Sequence, residues 1–183
     1  MKIRSIITAA IIGLGVSAAL TPAQATPVNS DQWYTFGFSG GNGTALLPGN
    51  GSFTLGQRSV YAPNTPWEFN CNAHHCKFII TDGFQAGDEF TISDFGVSIG
   101  ATSPAANNSG INCGNDEVAC LMSTDFSDRT YILANGPHSL TGIVSDSPYG
   151  GGAGFFIIRV PEPASLALMG IGLLGLALRR RKN

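Results

Sequence analysis

The chain has 183 residues, 10 Lys and Arg against 12 Asp and Glu, and a net charge of −2. That length suits one domain with a real core and is short for two. Between Thr26 and Val160 only four bases stand against eleven acids, a net of −7, which speaks against nucleic acid as a partner because phosphate contacts need clustered Lys and Arg.

The N-terminus reads as a secretory signal helix over residues 1–25. Lys2 and Arg4 form its charged start, Ser5 to Leu20 its apolar run, and Pro22 ends the helix before the cleavage site. Ala23 and Ala25 are the small residues that signal peptidase reads, so cleavage is expected after Ala25. The product is exported into an oxidising compartment, where cysteines pair by default.

Residues 26–159 read as an all-β body. "DQWYTFGFSG" alternates aromatic with small or polar residues, the period of a half-buried strand. "TALL" and "SFTL" follow as short strands around "LPGNG". "PWEFNC" and "CKFIITDG" read as a hairpin, split by a loop from Asn72 to His75. "GDEFTISDFGVSIGATS" holds two strands about a turn at Phe95-Gly96. "EVACLMS" suits one short helical piece, and "TYILANG", "HSLTGIVSD" and "GFFIIRV" complete the set, with a glycine-rich link "SPYGGGAG" before the last. No stretch holds a 3.6-residue period over three turns. Short strands with turn signals about every ten residues predict an antiparallel β-sandwich of jelly-roll type.

Four cysteines, Cys71, Cys76, Cys113 and Cys120, allow three pairings. Cys71–Cys76 with Cys113–Cys120 is the expected one, because each closes a short loop. Asn42-Gly43-Thr44, Asn50-Gly51-Ser52 and Asn107-Asn108-Ser109 match glycosylation sequons and also turns; the turn reading is adopted.

Residues 160–183 form a separate unit. Pro161-Glu162-Pro163 precedes an apolar run from Ala164 to Leu178, and Arg179, Arg180, Arg181 and Lys182 close it. As a helix the run would cover about 22 Å of a ~30 Å hydrocarbon core, short for a permanent span. The basic cluster would stay cytoplasmic and leave the body outside. A core helix would gain nothing from four terminal bases. The three features together resemble the tail of PEP-CTERM proteins. That resemblance implies a single transmembrane sorting helix, recognition at Pro161, Glu162 and Pro163, stop-transfer by the Arg179–Lys182 cluster, and processing by exosortase. It implies an inner-membrane-anchored precursor and then a place in the cell envelope or outside, in exopolysaccharide-rich surroundings.

Several constellations in the body bear on chemistry. Gly96-Val97-Ser98-Ile99-Gly100 matches a nucleophile elbow, with Asp125 or Asp128 and then His138 in hydrolase order. The setting is strand and loop rather than strand-turn-helix, so Ser98 is expected to be a plain strand serine and the protein no enzyme. Cys71, His74, His75 and Cys76 are of metal-ligand type, but too crowded for a zinc site. Asp82, Asp88, Glu89 and Asp94 are of calcium-ligand type and fit no EF-hand loop, so a solvated acidic face and no cofactor are expected, with bound Ca2+ as the alternative. Trp67 and Tyr149 are candidates for stacking on a ligand; Tyr149 stands out, because the loop around it offers no strand core. The expected role is structural or adhesive, in an extracellular matrix or biofilm, with a carbohydrate-binding module that holds exopolysaccharide as its rival.

Overall fold

The computed structural model describes residues 26–161, apart from 51, 53 and 107–109. Its elements in chain order are β1 (Thr26–Pro27), β2 (Trp33–Ser39), β3 (Ser59–Tyr61), β4 (Trp67–Asp82), β5 (Phe84–Gln85), β6 (Glu89–Asp94), β7 (Val97–Ala101), β8 (Asn112–Gly114), α1 (Glu117–Met122), β9 (Asp128–Asp146) and β10 (Gly151–Arg159). The signal helix and the sorting helix lie outside the described residues.

The body is β, as expected, but the sheet differs from an antiparallel jelly roll. Eight strands share one sheet in the order β3-β2-β10-β4-β9-β6-β7, with β1 beside β4. Two pairs are parallel, β1 with β4 and β2 with β3. Both involve short strands that reach the sheet through loops rather than tight hairpins, and tight hairpins are what force antiparallel pairing. The Ser52–Leu55 stretch is not a strand at its described positions, and Ser59–Tyr61 takes the edge instead.

The expected hairpin at Asn72–His75 is a corner. Thirteen steps from Trp67 to Ile80 would span about 43 Å in a straight strand. Phe156 is the sheet partner of Ile80, yet its ring stacks on Trp67 with centroids 4.1 Å apart. The two arms of β4 therefore fold face to face rather than pairing edge to edge, and β9 folds with them. The turning point is marked by a register break, where four steps from Cys71 to His75 are matched by two from Gly136 to Ala134. Gly136 holds φ 127°, a conformation other residues rarely adopt. The Cys71–Cys76 disulfide closes this bulge with Cα atoms 5.8 Å apart. Strands that pass from one layer to the other commonly do so at such bulges.

Folding the sheet over encloses the main core. Phe36 and Phe38 of β2 meet Phe90 of β6 edge to face at 5.1 and 5.6 Å, although three strands separate β2 from β6 in sheet order. On the open side the segment Thr44–Leu47 bridges the layers: Gly37 and Leu47 exchange backbone hydrogen bonds of 3.2 and 2.7 Å, and Leu46 N–H donates to Gly142 at 2.9 Å.

β10 is buried on both faces, so its alternation vanishes from the sequence. Phe156 and Ile158 face the main core, and Phe155 and Ile157 face a second cluster with Trp33, Phe126 and Cys120. α1 helps cover that outer face. Asp116 caps it by accepting from the Val118 and Ala119 N–H groups at 3.0 and 3.2 Å. The Cys113–Cys120 disulfide ties the helix to β8, and buried Glu117 accepts the Arg58 N–H at 2.9 Å.

Candidate functional site

Where β9 gives way to β10 the chain turns through Ser147–Gly150, with Gly150 at φ 76°. The turn carries Tyr149, 43% exposed, at the rim of a cleft of about 230 Å³. Phe84 and Gln85 of β5, Ser52, Thr54 and Asp88 are among its other lining residues. The glycine-rich link makes room: a Cβ on Gly152 would lie 2.6 Å from Asp88 Oδ2. Only a bare backbone lets that carboxyl sit where it does.

Asp82 lies beside the cleft, next to the lining residue Gly83. Buried at the end of β4, it accepts the Gly83 N–H through Oδ1 at 2.7 Å and the Gly87 and Asp88 N–H groups through Oδ2 at 3.0 and 3.1 Å. Burial, and then the neighbouring Asp88, push its pKa up to about 8 against the pull of those three donors. Asp88 is 4% exposed, and its Oδ1 has no hydrogen-bond partner among the described residues. Burial pushes its pKa up to about 6, with Ser147 opposing the rise and Asp146 adding to it. Asn42 fastens the rim: its Nδ2 donates to Asp146 at 3.3 Å and its Oδ1 accepts the Ser147 N–H at 3.0 Å. Asn50 likewise accepts the Ser52 N–H at 2.9 Å. Both side chains serve turns; residues 107–109 lie outside the described residues.

The sequence candidates are dispersed by the fold. Trp67 is corrected: it is 0% exposed, stacked on Phe156, and its indole N–H donates to the Pro63 carbonyl at 3.1 Å, so no ligand can reach it. Tyr149 is the stacking candidate that stays at a surface. The expected solvated acidic face is corrected: Asp82 and Asp88 are buried, 0% and 4% exposed, and of the four acids Asp88 lines the cleft. Glu89 instead accepts the Ala105 N–H at 3.1 Å, and Asp94 pairs with His138 at 2.7 Å.

Both His138 nitrogens are engaged, Nδ1 by Asp94 and Nε2 by the Ala134 carbonyl at 2.9 Å. Ser98 lies exposed on β7, opposite Ser93. Cys71 and Cys76 are in a disulfide, and His74 and His75 lie at the corner with ring centroids 6.0 Å apart. Among the described residues no group of three His, Cys, Asp or Glu side chains is placed to hold a metal ion.

Gln85, Ser52 and Thr54 were not singled out as site residues in the sequence. Gln85 has only the turn chemistry around "TDGFQAGD" as its signal, and Ser52 and Thr54 only the expected short strand "SFTL", neither of which says what the segment faces. Ala23, Ala25, Glu162, Pro163 and the Arg179, Arg180, Arg181 and Lys182 cluster lie outside the described residues; Pro161 is described and exposed.

A family model described as the PEP-CTERM protein-sorting motif matches residues 159–182. Comparison with curated proteins and with solved structures finds no match.

Proposed function

We propose that this chain, an exported PEP-CTERM protein sorted by exosortase, is a non-enzymatic β-sandwich that serves at the cell surface or in the extracellular matrix by holding polysaccharide in the Tyr149 cleft. Signal peptidase releases it after Ala25, an inner-membrane-anchored precursor follows, and exosortase then acts near Pro161-Glu162-Pro163. The biofilm matrix is the expected destination.

One observation carries the glycan reading. Tyr149, 43% exposed, lines a cleft together with Gln85, Ser52, Thr54 and Asp88. A sugar offers a C–H face to a ring and hydroxyls to amides and carboxylates, and binding sites join an apolar wall to a few convergent polar groups in just this way. No metal or cofactor is invoked. The non-enzymatic reading is supported by the engagement of both His138 nitrogens and by the exposed edge-strand setting of Ser98.

The test is retention of the mature extracellular form on immobilised matrix polysaccharide. Tyr149→Ala should weaken binding by about tenfold or more, the equivalent of ~1.4 kcal/mol. Binding that is absent in the native form, or unchanged in the variant, would overturn the glycan reading while leaving the sorting assignment intact.

A further inference from the structure

The β6–β7 hairpin turns through Phe95 and Gly96, since Asp94 pairs with Val97. Both turn residues are left-handed, Phe95 at φ 47° and Gly96 at φ 78°. Such two-residue turns favour Asn-Gly or Asp-Gly, and a bulky residue in the first place is held there against its preference. The ring gains no burial in return, being 63% exposed. Val97 beside it is also exposed. An aromatic kept at a strained tip and turned to the outside is better explained by contact with something beyond the body than by folding.

The position of the tip says what that something is. Phe95 borders a shallow depression with Pro27, Phe69 and Pro137, whose polar lining is Glu68, His138 and Ser139. Pro27 and Phe69 also border the depression lined by Ile158 and Val160, where the chain leaves β10. Both ends of the body, at Thr26 and at Pro161, therefore lie on the rim that carries Phe95. Beyond Val160 only Pro161, Glu162 and Pro163 precede the apolar run from Ala164 to Leu178. Three residues reach about 10 Å at full extension. With that run inserted in a bilayer, the rim has to lie against the headgroups. Lys77, exposed on the strand beside Arg159, suits a lipid phosphate; Arg159 itself is engaged by Asp31 at 3.0 Å.

We infer that the rim of Phe95, Pro27, Phe69 and Pro137 is a lipid-contacting surface that seats the body on the bilayer while the sorting tail is inserted. Aromatic rings favour the interfacial zone of a membrane. The seat would hold the Pro161-Glu162-Pro163 stretch at the membrane surface, where a membrane-embedded enzyme can reach it. The inference rests on the anchored precursor of the preceding section.

The experiment uses the chain from Thr26 to Asn183, reconstituted in vesicles of phosphatidylethanolamine and phosphatidylglycerol with or without brominated acyl chains. Phe95→Trp is compared with Met122→Trp, a reporter on α1 away from this rim. Native Trp33 and Trp67 are buried and give a common background. Brominated lipid should cut the added Phe95→Trp emission at least twofold and leave that of Met122→Trp unchanged. Equal quenching, or none at either place while the tail resists alkaline carbonate extraction, overturns the lipid contact alone. Extraction of the chain by carbonate overturns the anchored precursor and the contact with it. Phe95→Asn checks the cause of the strain: it should unfold at a higher temperature than the native chain and lose the vesicle-dependent slowing of hydrogen exchange at the tip. Unchanged slowing in this variant would also count against the contact.

Discussion

Asp88 lines the cleft with one oxygen unpartnered among the described residues and its pKa pushed up to about 6, above the ordinary 3.8. Asp82 beside it rises to about 8. Both hold a proton more tightly in the fold than in the unfolded chain. The stability they contribute is therefore complete below about pH 4 and is lost as pH rises through about 6 and then about 8. Asp88→Asn keeps the shape and removes the charge. It should raise stability at pH 8 by roughly 1–2 kcal/mol, after discounting for partial solvent screening, and change little at pH 4. Thermal denaturation at the two pH values checks this; an equal shift at both would show that the cost is steric. At this scale the sequence exposed the ingredients but not their company. Asp82, Asp88, Glu89 and Asp94 look like one acidic set, and the fold sends Asp88 to the cleft, buries Asp82 beside it and sends the other two elsewhere. Trp67 and Tyr149 are both aromatics near turns, and only three-dimensional packing separates a core ring from a rim ring.

Among the elements, β4 and β9 show where local pattern misleads. Each arm of β4 alternates as a strand should, and a four-residue interruption between two cysteines fits a hairpin as well as a corner. The difference lies in the partner: both arms pair with β9, which bends in concert. Nothing within "CNAHHC" carries that information. The disulfide's place at the corner gives it a structural task, because it holds the bulge that lets the sheet fold over. Replacing both Cys71 and Cys76 by Ser should cost about 2 kcal/mol from the freed short loop alone. A lowered urea midpoint with retained β signal in circular dichroism is the expected result; no loss of stability would mean that the bulge is held by backbone pairing instead. β10 misleads differently. With Phe155 and Ile157 under the helix and Phe156 and Ile158 in the core, a continuous apolar run replaces alternation, as in strands covered on both faces.

For the whole molecule, the sorting motif determines fate and the β body determines what arrives. Intact mass of the extracellular form should give a chain that begins at Thr26, contains both disulfides and lacks Arg179 to Asn183. Pro161→Ala with Pro163→Ala should leave the tail attached and the protein with the membrane fraction. A native extracellular form that keeps the basic tail would refute processing by cleavage.

The sequence alone determined the β class of the body, the likeness of its tail to a sorting signal and the short spacing of its cysteines. These are carried by residue type and local order: strand alternation, and a proline pair, apolar run and basic cluster in succession. Tertiary structure decided the rest, namely the folded-over mixed sheet, the burial of Trp67, the meeting of Asp88, Gln85 and Tyr149, and the shared rim of Phe95 with Pro27 and Val160. Each joins residues from distant parts of the chain. Such contacts depend on which strands lie side by side and where the sheet bends, and local alternation is the same for every such arrangement.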